Sequence, residues 1–140
     1  MMDLTAFLAE NVEQAEHIKY AASSRIKADG KAVEWEIRPL TSAEDDEVRA
    51  SSMKRVPIPG RKGQYTNEMD MNAYLGKMAA AATVFPNLND ASLQASYKVN
   101  GADNLLKAML TAGEYMNYVT KVQEVCGFTP ITEDVETAKN

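Results

Sequence analysis

One cysteine, Cys126, and one histidine, His17, are the whole supply of these two side chains in 140 residues. A lone cysteine excludes an internal disulfide, and the pair is too small for a zinc site of the usual Cys/His composition unless subunits share ligands. Long apolar runs are also missing. The longest extend only a few residues, far short of the roughly 20 needed to cross a bilayer as a helix. No succession of charged, apolar and small residues at the N-terminus reads as a secretion signal. The chain is therefore expected in a reducing cytoplasm, without a membrane. An excess of positive charge is the last absence: the net charge of −5 gives no long-range field to draw in nucleic acid.

What is present is an ordinary globular composition, 45% hydrophobic and 25% charged. A chain of this length can bury roughly two thirds of its unfolded surface as one domain. A single domain is expected over 1–130, with a frayed acidic tail over 131–140, where Glu133, Asp134 and Glu136 follow Pro130.

Leu4, Phe7, Leu8 and Val12 share one helical face behind a cap at Asp3 and predict a helix over 3–14. Ile18 to Lys27 and Val33 to Arg38 alternate as strands around Asp29-Gly30, a pair suited to a two-residue type I′ turn. With those two residues at the centre, Ile26 faces Val33, Ala22 faces Ile37, and Arg25 faces Glu34. Thr41 and Glu44 form a capping box for a helix that fades near Met53. The stretch Val56–Gln64 holds two prolines and two glycines and suits a loop or a Pro-limited edge hairpin.

From Asp70 the pattern becomes helical. Met71, Tyr74, Leu75, Met78 and Ala82 form a stripe that Pro86 ends, and Asn89 or Asp90 can cap a short helix carrying Leu93 and Tyr97. After Asn100-Gly101 a further helix carries Leu105, Leu106, Met109 and Leu110. Thr111 and Glu114 open the last helix, whose stripe is Tyr115, Tyr118, Val119, Val122 and Cys126, with Gly127 as its stop. The fold class is α+β: an N-terminal antiparallel β-hairpin, then a cluster of short α-helices that makes the C-terminal half predominantly helical.

Chemistry finds little to stand on. Cys126 falls on an apolar stripe and His17 on the polar face of a strand, which is a poor arrangement for a nucleophile and its base. The acids Glu44 to Glu47 suit a helix start better than a magnesium site, since consecutive helical residues point apart. Gly60 to Gly63 lacks the spacing of a phosphate-binding loop. Lys54, Arg55, Arg61 and Lys62, with Tyr65 able to stack, form the one basic cluster, better read as a solvated loop or a contact for an acidic protein than as a nucleic-acid site in so acidic a chain. No catalytic residue, metal or organic cofactor is expected.

Eight methionines, five of them in the helical half (Met69, Met71, Met78, Met109, Met116), read on composition alone as a methionine-containing core first, and second as a soft apolar inventory of the kind adaptable binding surfaces use. Met71, Tyr74, Met78, Tyr115 and Tyr118 supply flexible or aromatic apolar area on helices and are the candidate partner-binding residues.

The run from Leu75 to Gln94, LGKMAAAATVFPNLNDASLQ, resembles the XkdN-like phage tail assembly chaperones of prophages in Gram-positive bacteria. Val33–Arg38 with Leu40–Ser42 is similar to that family's hairpin and following helix, and Gly101–Leu110, Gly113–Tyr115 and Lys121–Glu124 are similar to its C-terminal helices. The resemblance covers residues 18 to 128 and rests on architectural motifs. It implies a non-enzymatic protein of the host bacterial cytoplasm. Such a protein holds the tape measure protein soluble until the tail tube polymerises around it, with other tail proteins or itself as further partners. The alternative is a structural component of tail or head that stays in the particle.

Overall fold

In the computed structural model, which describes residues 3–128, a three-stranded antiparallel sheet packs against helices. The expected frayed tail lies outside the described residues. The strands of this sheet are β1 (Ile18–Tyr20), β4 (Trp35–Ile37) and β7 (Thr83–Phe85), in the order β1-β4-β7. Between β1 and β4 the hairpin ends in the short strands β2 (Lys27–Ala28) and β3 (Lys31–Ala32). A second hairpin, β5 (Met53–Pro57) and β6 (Tyr65–Met69), forms a separate two-stranded sheet. The helices are α1 (Ser42–Ser51), α2 (Met71–Ala82), α3 (Ala91–Ser96), α4 (Ala102–Met109) and α5 (Ala112–Val125).

Asp29 and Gly30 both take positive φ, 53° and 78°, as a type I′ turn requires, and Lys27 pairs with Ala32 and Ala28 with Lys31. The Val33 amide donates to the Ile26 carbonyl at 2.9 Å, so the expected register holds this far. Beyond it the register changes. Ile18, not Ala22, faces Ile37, and Tyr20 faces Trp35. Residues 21–26 on one side therefore stand against only 33 and 34 on the other. The excess lets Ala22 and Ser23 turn inward, 5% and 2% exposed, and sends Arg25 to Glu114 at 2.7 Å rather than to Glu34.

Two further expectations are corrected. In place of a helix over 3–14 there is a single 3-10 turn, Thr5–Phe7, with no buried residue. A helix of about a dozen residues is marginal without something to pack on, and Glu10, Glu13 and Glu16 would crowd its negative C-terminal end. The helix before Pro86 ends at Ala82, and Thr83–Phe85 becomes the third strand, antiparallel to β4. Among the two readings of the Pro- and Gly-rich stretch, the hairpin is the one that forms.

Both capping boxes are complete: Thr41 with Glu44 opens α1, and Thr111 with Glu114 opens α5. Asp70 and Asp90 cap α2 and α3. Trp35 and Ile37 from β4 meet Met78 and Ala82 of α2, Leu105 and Leu106 of α4, and Tyr118 and Val122 of α5 in one core. Each such large apolar side chain contributes roughly 1.5–3 kcal/mol by leaving water.

Candidate functional site

Where the helices meet the surface, small residues decide the geometry. A side chain at Gly76 of α2 would put its Cβ 3.0 Å from the Tyr115 hydroxyl and 3.2 Å from Lys107 Cε. The glycine thus lets Tyr115 and Lys107 lie directly over the α2 backbone. Beside them opens a groove of about 330 Å³ between α2 and α5, lined by Asn72, Leu75, Lys107, Tyr115, Met116 and Val119.

The five residues singled out from the sequence divide between this surface and the interior. Tyr115 lines the groove half-buried, and its hydroxyl pKa is raised by burial and, second, by the Asp103 carboxylate. Met71, one turn before Leu75 on α2, is 50% exposed. Tyr74 and Met78 are buried. The Tyr74 hydroxyl donates to the Asp45 carboxylate, and the Arg49 guanidinium sits 4.8 Å from its ring centre. Burial and that hydrogen bond push Tyr74 up to about 12.

Tyr118 is wholly enclosed. Its ring meets Trp35 edge-on at 5.0 Å between centroids, and its hydroxyl lies 2.6 Å from Thr83 Oγ1. Because Thr83 gives its proton to the Ala79 carbonyl at 2.8 Å, Tyr118 is the donor in this pair. Desolvation pushes its pKa up to about 12. Tyr74, Met78 and Tyr118 therefore serve the packing of the fold, while Tyr115 lines the groove and Met71 is exposed on α2 outside that lining.

Asn72, Leu75, Met116, Val119 and Lys107 complete the lining and were not among the candidate partner-binding residues. Met116 carries the signal that could have found it: a large apolar residue off the Tyr115–Tyr118 stripe, 60% exposed. Chemically the groove offers apolar area rimmed by a single cation, Lys107. Elsewhere, His17 Nδ1 is held 2.6 Å from Glu36. Burial raises the Cys126 thiol, the opposite of what an activated nucleophile needs. Among the described residues, no three His, Cys, Asp or Glu side chains cluster as metal ligands would. No helix there is long and apolar enough to cross a membrane. In the basic cluster, the Arg55 guanidinium stacks on Tyr65 at 4.0 Å, occupying the face a nucleobase would use.

The sequence model of the phage XkdN-like tail assembly chaperone proteins matches residues 4–139. The chain is 28% identical over 141 residues to the phage-like element PBSX protein XkdN of Bacillus subtilis (strain 168), covering 99% of this chain and 94% of that protein. Protein YqbN of the same strain is 28% identical over 138 residues, covering 97% and 91%. The crystal structure of YqbN has the same fold, with a TM-score of 0.77 at 24% identity, covering 92% of this chain and 99% of that one.

Proposed function

We propose, proceeding from the fact that this chain belongs to the phage XkdN-like tail assembly chaperone family, that it binds the tape measure protein in the host cytoplasm during tail assembly. A tape measure chain carries apolar helical stretches that have no tube to bury them before the tube polymerises. A groove that is apolar, open and edged with methionine can cover one face of such a helix reversibly. The observation that supports this reading best is the groove between α2 and α5, where Met116, 60% exposed, presents apolar area that the core does not use, beside Leu75. The role is one of binding and release, without a catalytic step.

Co-expression with a tape measure fragment tests it. The fragment should stay soluble with this protein and aggregate alone. Met71→Asp with Met116→Asp should abolish that effect while changing stability by no more than about 0.5 kcal/mol, because both side chains are exposed. Unchanged solubility on co-expression would refute the chaperone reading. If the protein is instead found in purified virions by gel analysis, it is a structural component of the particle.

A further inference from the structure

Two parts of the molecule, Met69 apart, add little to its core and are opposite in charge. The first is the segment before β1. From Asp3 to His17 it holds four acids, Asp3, Glu10, Glu13 and Glu16, and no lysine or arginine. It also holds four exposed apolar side chains, Leu4 at 70%, Phe7 at 76%, Leu8 at 48% and Val12 at 50%. At about 100° per residue these four fall on one helical stripe, Glu10 and Glu16 flank it, and Glu13 stands opposite. The second is the β5–β6 hairpin. From Met53 to Met69 it carries four cations, Lys54, Arg55, Arg61 and Lys62, against one acid, Glu68.

The register of that hairpin sorts its side chains. Met53 pairs with Met69, Arg55 with Asn67 and Pro57 with Tyr65, so these six share a face. Met53 and Tyr65 on it are 48% and 49% exposed. Arginine, tyrosine and methionine together are the composition of a binding surface. A two-stranded hairpin is marginal in water unless a helix packs on it. The N-terminal segment has the sequence of an amphipathic helix with nothing to pack on. The lengths also agree: a helix over 3–16 would be about 21 Å long, and five-residue strands about 17 Å.

We propose that the N-terminal segment of one copy folds as a helix onto the β5–β6 hairpin of a second copy. A single copy leaves both surfaces exposed, so it does not bring its own pair together. The cations of the hairpin relieve the repulsion that Glu10, Glu13 and Glu16 exert at the helix C-terminus, and the apolar stripe covers Met53 and Tyr65. Since the two surfaces differ, the contact is head-to-tail and leads to a ring or an open chain of copies. It is independent of the partner proposed above.

Sedimentation velocity on the full-length protein tests this at several concentrations, in low salt and at about 1 M salt, where screening reaches down to about 3 Å. The expected result is a species heavier than the monomer that grows with concentration and disappears in high salt. Arg61→Glu with Lys62→Glu should leave a monomer, and so should Glu10→Lys with Glu16→Lys. Mixing these two variants should restore association, because each then offers what the other has lost. Circular dichroism confirms that both variants are folded. A monomer under all conditions, or association that ignores both charge reversals, would overturn the proposal.

Discussion

Glu114 holds four groups at once. Its carboxylate accepts from the Thr111 amide at 2.9 Å, from the Ser23 hydroxyl at 2.7 Å and from Arg25 through Nη2 at 2.7 Å and Nε at 3.3 Å. Arg25 also donates to the Met109 carbonyl at 3.0 Å, so one side chain joins the hairpin, the end of α4 and the start of α5. Arg25, the Thr111 amide and Ser23, in that order, hold the Glu114 carboxyl at about 2, well below its usual 4.5. A depressed folded-state pKa means that the unfolded chain binds the proton first as pH falls. The stabilisation is therefore complete above about pH 4.5 and is lost as pH drops toward 2. Glu44, held at about 2 chiefly by Arg38, behaves the same way. Urea denaturation at pH 7 and pH 3 should show a large drop in midpoint for the native sequence and a smaller one for Glu114→Gln, in which Glu44 still titrates. Equal drops would mean that the cluster is not coupled to folding.

Helices α1 and α5 begin alike. In each, the glutamate of the capping box also receives an arginine from the hairpin: Arg38 reaches Glu44 at 2.6 and 3.0 Å, as Arg25 reaches Glu114. Thr41→Ala and Thr111→Ala should each cost about 1 kcal/mol by removing the cap and loosening the glutamate that the arginine holds. Thermal or urea unfolding measures this, and a cost near zero would show the caps to be redundant. The boxes were legible in the sequence because all their partners lie within four residues. The Arg25 latch was not, since Arg25 and Glu114 are 89 positions apart, and the Arg38–Glu44 pair, though only six apart, bridges a turn from strand to helix that neither period describes. The same distinction explains the hairpin. Turn chemistry fixes the ladder next to Asp29-Gly30, but Arg25 and Ser23 leave that ladder to reach α5, and only the assembled fold offers that alternative. Strand β7 was missed for a related reason: three residues before a proline carry no period, and their pairing partner is in β4. At the groove, helical spacing identified the stripe but not which of its members face inward, because a core stripe and a binding stripe share one period.

Across the whole molecule, the buried side chains are concentrated in a few elements. The largest enclosed side chains, including Trp35, Ile37, Met78, Leu105 and Tyr118, come from β4, α2, α4 and α5. The turn at Thr5–Phe7 buries no side chain, and β5 and β6 keep nearly all of theirs in water. Local opening follows buried contact, so amides in elements rich in it exchange only on global unfolding and the rest exchange by local opening. In dilute protein at about 1 M salt, hydrogen exchange should therefore be slowest in β4, α2, α4 and α5 and fast over residues 3–16. The β5–β6 hairpin should fall between these limits. Its ladder runs through five residue pairs and its base is tied by the Asp70 amide to the Ser52 carbonyl at 2.8 Å, yet it has no helix above it. Raising the concentration in low salt should slow exchange in the N-terminal segment and the hairpin together while leaving the core elements unchanged. Slowing in only one of the two would mean that they meet different partners. Core-like protection of the hairpin in the dilute monomer would show that its stability needs no second copy.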